Sequence, residues 1–78
     1  MGAEAIRWEY WVDEITVFER WGSKRQAAEM EAFRSRLNEI GEQLWEMVSF
    51  ETIPLTGAFS GNVKGYTYLA FFKRPKNR

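Results

Sequence analysis

Apolar and polar residues alternate over the first stretch of the chain. Ile6, Trp8, Tyr10 and Val12 fall on one face of an extended segment, and Trp11 falls on the other beside Arg7 and Glu9. The phase then slips. Asp13-Glu14 intervene, and the next apolar pair is Ile15 and Val17. A one-residue insertion at Asp13-Glu14 would return that pair to the face of Trp8 and Tyr10, so the pattern predicts a β-bulge within a strand over about residues 6–18.

Trp21-Gly22 reads as a turn, and Ser23-Lys24-Arg25-Gln26 fits a capping box ahead of a helix over about residues 24–40. Met30, Phe33, Leu37, Ile40 and Leu44 recur at +3 and +4 and form one apolar stripe. Arg25–Glu29, Glu31–Arg34 and Arg36–Glu39 are spaced as ion pairs on the wet side. Gly41 stands where a left-handed helix end would want it.

The second strand is expected over about residues 45–53 and is closed by Pro54. Trp45 and Met47 share one side, Val48 and Phe50 lie near the other, and the pattern leaves open which side is buried. Leu55 to Asn62 is Gly-rich and predicts a loop mobile at its tip. The third strand is expected over about residues 63–73. Tyr66, Tyr68, Ala70 and Phe72 occupy one face, and Leu69 and Phe71 the other. Apolar on both sides, this strand belongs in the middle of a sheet.

These elements make a single α+β domain over residues 1–78 with β-α-β-β order. A crossover helix sets strands one and two parallel, and a hairpin sets strand three antiparallel to strand two. The expected sheet is three-stranded, mostly antiparallel, in order 1-3-2, with the helix on one face. The other face is left open, and it carries aromatics.

Length sharpens that point. A chain of 78 residues sits near the lower limit for folding without staples. It has no Cys and no His, which excludes disulfides and Cys/His zinc sites, and no EF-hand spacing is present. Four Trp, six Phe and three Tyr supply the missing mass. Trp45, after the helix exit, is expected to pack on Leu37 and Ile40 as a structural residue. The interface candidates are Trp11, Tyr66, Tyr68 and Phe72, with a second copy of the chain as the expected partner.

Four blocks resemble a known family. Arg7-Trp8-Glu9-Tyr10, Leu37-Asn38-Glu39-Ile40-Gly41, Trp45-Glu46-Met47-Val48-Ser49 and Ala70-Phe71-Phe72-Lys73-Arg74-Pro75 occur in the same order as the motifs of very short bacterial and phage proteins. Those proteins form a domain-of-unknown-function family, the DUF four-one-seven-seven family. Its pattern is K-W-E-Y, then L-N-x-L-G-x-x-G-W-E-L-V, then A-F-F-K-R-P. The resemblance implies a compact β-α-β-β fold and implies no activity. Leu44 departs from it, standing where the family has its second glycine. That makes a positive φ costly, predicts a different helix-to-strand connection and lets Leu44 lengthen the apolar stripe. The stretch from Thr16 to Gln26 is also longer than the family's.

Eleven basic and eleven acidic residues cancel, but Lys73, Arg74, Lys76 and Arg78 place four positive charges in the last six residues. The rest holds seven basic against eleven acidic residues, a body of net −4. That sign disfavours broad phosphate binding, and the basic tail over residues 74–78 reads as a solubilising end. Pro75 is expected to end the last strand and leave Lys76, Asn77 and Arg78 loose.

Catalysis lacks its usual parts. The only adjacent acids, Asp13 and Glu14, would point to opposite faces of a strand, and no phosphate-cradling glycine pattern occurs, so no enzyme and no cofactor are expected. The alternative to self-association is a nucleotide or single-stranded nucleic-acid binder. It would use Trp11, Tyr66 and Tyr68 as stacking platforms and Arg7, Lys64 and Arg74 as phosphate contacts. No membrane segment or signal peptide is read, and the expected location is the cytoplasm.

Overall fold

Strand β3, Val63–Pro75, lies between strand β1, Trp8–Phe18, and strand β2, Glu46–Thr56; helix α1, Ser23–Glu42, connects β1 to β2. The computed structural model describes residues 5–58 and 61–76. Both ladders are antiparallel and the order is β1-β3-β2. The fold is therefore α+β with β-α-β-β topology, and β1 and β2 run the same way on either side of β3.

The register of β1 on β3 is unbroken from Trp8↔Pro75 to Phe18↔Gly65. The bulge expected at Asp13-Glu14 is absent, and strict alternation assigns the faces. Glu9, Trp11, Asp13, Ile15 and Val17 lie on one side with Tyr66, Tyr68, Ala70, Phe72 and Arg74. Trp8, Tyr10, Val12 and Glu14 lie on the other with Leu69, Phe71 and Lys73. Ile15 and Val17 thus join Trp11's side, not that of Tyr10. The helix decides this: Ile15, Val17, Phe33, Ala70 and Phe72 form the buried cluster, with Trp21, Leu37, Ile40, Trp45 and Tyr68 packed around it. The register shifts lie instead in the β2–β3 ladder, where Val48 of β2 is extra between Met47 and Ser49, and Lys64 of β3 is extra opposite Leu55 and Thr56.

The helix ends differ from the capping-box expectation. Gly22 is the N-cap, and no side chain caps the helix. Gln26 instead donates from Nε2 to the carbonyls of Trp21 at 2.8 Å, Phe18 and Glu19, holding the β1–α1 turn. At the far end α1 continues through Gly41 to Glu42, and the left-handed residue is Leu44, φ 71°. Leu44 accepts the strained conformation that its side chain was expected to refuse. It is 81% exposed, so it does not extend the apolar stripe.

Of the two prolines, Pro75 is the last residue of β3, as expected, whereas Pro54 lies inside β2 and does not end it. β1–β3 bonds run from the amide of Lys76 to the carbonyl of Arg7 at 2.7 Å and from the amide of Glu19 to the carbonyl of Lys64 at 2.7 Å. Hence odd residues of β1 and even residues of β3 face each other's backbone, and odd residues of β3 face β2. Pro54, paired with Tyr66, has its nitrogen on the outer edge of β2, where no ladder donor is required. Pro75 faces the side where β2 has already ended. Lys76 is therefore tied to Arg7, while Asn77 and Arg78 lie outside the described residues. Gly57 and Asn62 close the β2–β3 hairpin by a 3.0 Å bond, and Phe59 and Ser60 at its expected mobile tip also lie outside the description.

The molecule is thin and open, not compact. Its principal extents are 61 × 27 × 14 Å and its Cα radius of gyration is 17.0 Å, against about 11–12 Å for a close-packed domain of this length. A single helix covers only the β1 side of one face.

Candidate interaction surface

The helix-free face is built by alternation along three strands. β1 contributes Trp8, Tyr10 and Val12, β3 contributes Leu69 and Phe71, and β2 contributes Ile53 and Leu55. Tyr10 is 69% exposed, Val12 53% and Ile53 45%, while Leu69 and Phe71 in the middle strand are half-buried by their neighbours. Charged residues are interleaved with this strip: Lys73 and Glu46 share a row with Tyr10, and Glu14 and Glu51 flank Leu69 in the row between Phe71 and Ile53. Lys73 lies opposite Glu46, and its Nζ stands 4.2 Å over the Trp8 ring. Thr16 and Thr67 share a 2.9 Å hydroxyl hydrogen bond, so their polar groups are satisfied across the ladder. Apolar rows alternating with charged ones leave a mixed surface that a protein partner could cover.

The four residues expected at the interface are on the opposite, helix-bearing side. Phe72 is 3% exposed and belongs to the core. Tyr68 packs against that core and stacks on Phe50, with centroids 6.0 Å apart. Tyr66 lies 6.3 Å from Tyr68, at the outer end of the same row. Trp11 remains 48% exposed but leans on Trp45 at 5.9 Å. The aromatics of this side touch one another, yet Trp11 and Phe50 stay 48% and 44% exposed where the helix does not reach; Tyr10, Val12 and Ile53 lie on the face that carries no helix at all. Sequence reasoning missed those three as the surface because the slip read at Asp13-Glu14 reversed which face the helix would claim.

The ligand candidates are not assembled either. Arg74 is committed: Nε donates to Glu9 at 2.7 Å, Nη1 donates to the Gln43 carbonyl at 2.7 Å, and the guanidinium covers Trp45 at 4.2 Å. Arg7 and Lys64 sit beyond opposite ends of the β1–β3 ladder, some 30–40 Å apart at strand rise. Lys64 does join Arg20, Phe18, Glu19 and Val63 around an open cleft of ≈ 530 Å³. Two cations and an acid meet there, with the Arg20 guanidinium 4.9 Å over the Phe18 ring.

The other charges are structural. Asp13 accepts from Arg36 Nε at 3.1 Å, and Arg36 Nη2 donates to the Glu14 carbonyl at 3.0 Å, so Arg36 serves β1 and not Glu39. Arg25 covers the Trp21 ring at 3.8 Å instead of pairing with Glu29. Of the three expected helix pairs, Glu31–Arg34 forms, and its hydrogen bond holds the Arg34 guanidinium above its ordinary pKa. Among the described residues no acidic cluster could hold a metal ion, and no helix is long and apolar enough to cross a membrane.

Comparison with family models, with curated proteins and with solved structures finds no match for this chain.

Proposed function

We propose that this chain is a small, non-enzymatic interaction module that self-associates by packing the helix-free faces of two sheets together. The observation that carries the reading is the unlayered strip of Tyr10, Val12, Ile53 and Phe71 on a sheet with one helix. Surface area supports it. The chain exposes 6222 Å², against about 4,900 Å² expected for a folded monomer of 9.2 kDa. The surplus of about 1,300 Å² exceeds the roughly 800 Å² per partner of a standard interface. With five buried hydrophobic residues among those described, the chain has little core of its own, and a second copy laid on the strip would supply one. Residence in the cytoplasm and the family resemblance fit this reading; they do not carry it.

Sedimentation equilibrium tests it. The wild type should be a dimer or larger at micromolar concentration, and Val12→Glu should weaken association by at least tenfold. Met30→Glu, on the exposed flank of the helix, should leave association unchanged. A wild type that stays monomeric at high concentration removes the proposal.

The nucleotide reading keeps one specific site, the Arg20–Lys64 cleft beside Phe18. A thermal-shift screen of mononucleotides with wild type and Lys64→Glu tests it. A shift present in the wild type and lost in the variant would favour that reading.

A further inference from the structure

The β1 edge is divided between occupied and vacant backbone groups. Odd residues of β1 bond to β3, so the even residues Trp8, Tyr10, Val12, Glu14, Thr16 and Phe18 turn their amides and carbonyls outward. In the second half the molecule has used some of them. The Glu14 carbonyl accepts from Arg36, and the Phe18 carbonyl accepts from the Trp21 amide and from Gln26. In the first half, Trp8, Tyr10 and Val12 have no backbone partner among the described residues, and the strand there is regular, with neither bulge nor proline. The opposite edge is blunted: β2 carries a bulge at Val48 and turns Pro54 outward.

We propose that the Trp8–Val12 edge pairs antiparallel with the same edge of a second copy, about a two-fold axis at Tyr10, giving one continuous six-stranded sheet. Charge selects this register from its neighbours. An axis at Glu9 sets Glu9 against itself. An axis at Trp11 sets Glu9 against Asp13, and an axis at Val12 draws on the Glu14 carbonyl that Arg36 already holds. An axis at Tyr10 sets Arg7 of one copy opposite Asp13 of the other, and Glu9 opposite Trp11. Outward groups then meet outward groups at Tyr10–Tyr10 and at both Trp8–Val12 pairs, adding about six ladder bonds. On the helix-free face the same register places Trp8 beside Val12 across the axis. This contact uses the backbone edge and does not rest on face packing. The two are compatible, and together they make a four-chain assembly.

Amide hydrogen exchange of the wild-type protein, residue by residue at two concentrations, tests the pairing. The amides of Trp8, Tyr10 and Val12 should become protected by on the order of a hundredfold as the protein associates. An associated protein in which these three amides exchange freely overturns the edge pairing while leaving face packing intact. A monomer at both concentrations overturns both. Because the chain has no Cys, single-cysteine variants check the register. Tyr10→Cys should oxidise to a covalent dimer well before Val12→Cys, since an axis at Tyr10 brings only that position opposite itself. Equal or faster cross-linking of Val12→Cys overturns the register.

Discussion

Arg74 lays its guanidinium 4.2 Å over the ring of Trp45, joining the last strand to the segment that leaves the helix. The same side chain binds Glu9 on β1 at 2.7 Å and the Gln43 carbonyl at 2.7 Å, so one residue ties three parts of the chain. Arg is required here because its planar fork can stack and donate in several directions at once. About a third of the pair remains in water, which screens the charge. Arg74→Lys should therefore cost about 1–2 kcal/mol in urea unfolding at fixed protein concentration, chiefly through the lost stacking. A change within a few tenths would show that the clamp is ornamental.

Leu44 pairs an unfavourable backbone, φ 71°, with an exposed apolar side chain. Left-handed geometry costs a non-glycine residue about 1–2 kcal/mol, partly offset in glycine by its freer unfolded chain. Leu44→Gly should therefore stabilise the protein by about 0.5–1 kcal/mol. Destabilisation would instead mean that an associated copy covers Leu44, and the variant would then also dissociate more readily.

Much of this was readable in the residues, and the failures share a cause. The two-sided apolar pattern of Tyr66 to Phe72 placed β3 in the middle, and the Phe33–Leu37–Ile40 spacing gave the helix its buried side. The faces of β1 were not readable. Asp13 and Glu14 looked like an interruption because a carboxylate on a core-facing strand is costly, yet Arg36 reaches over from α1 to satisfy Asp13. That tertiary partner lies 23 residues away, beyond any local pattern. Pro54 misled similarly: a proline stops a strand only if its nitrogen faces a neighbour, and that depends on ladder parity. The helix-free face followed from these misreadings, so its residues were exchanged with those of the covered face.

Gly65 faces Phe18 across the β1–β3 ladder. A Cβ there would stand 2.4 Å from the Val17 carbonyl oxygen and 2.9 Å from Phe18 Cα, both backbone atoms that cannot swing aside. Gly65→Ala should lose about 2 kcal/mol or more, or fail to fold, because the strands must part to admit a methyl group. Gly22→Ala, with open space around its Cβ, is the control and should change stability by less than about 1 kcal/mol. Equal effects of the two would mean that β1 and β3 are not this close at their hairpin-side end.

Pro54 guards the edge that the assembly should not use. Its nitrogen turns outward from β2, between the Val48 bulge and the register shift at Leu55/Thr56. Replacing it with valine restores an outward donor and a residue that favours strands, in a stretch that already exposes Phe50 and Ile53. No intrachain ladder bond changes, so Pro54→Val should leave the unfolding midpoint nearly where it is, within about 0.5 kcal/mol. Its signature should appear in association. Light scattering should show species larger than the wild-type assembly, growing with concentration and time, because an opened β2 edge lets sheets join end to end without closure. Adding Thr52→Lys, which sets a charge on the same edge strand, should reverse the growth. Unchanged size in the single variant would mean that the Val48 bulge alone keeps this edge closed.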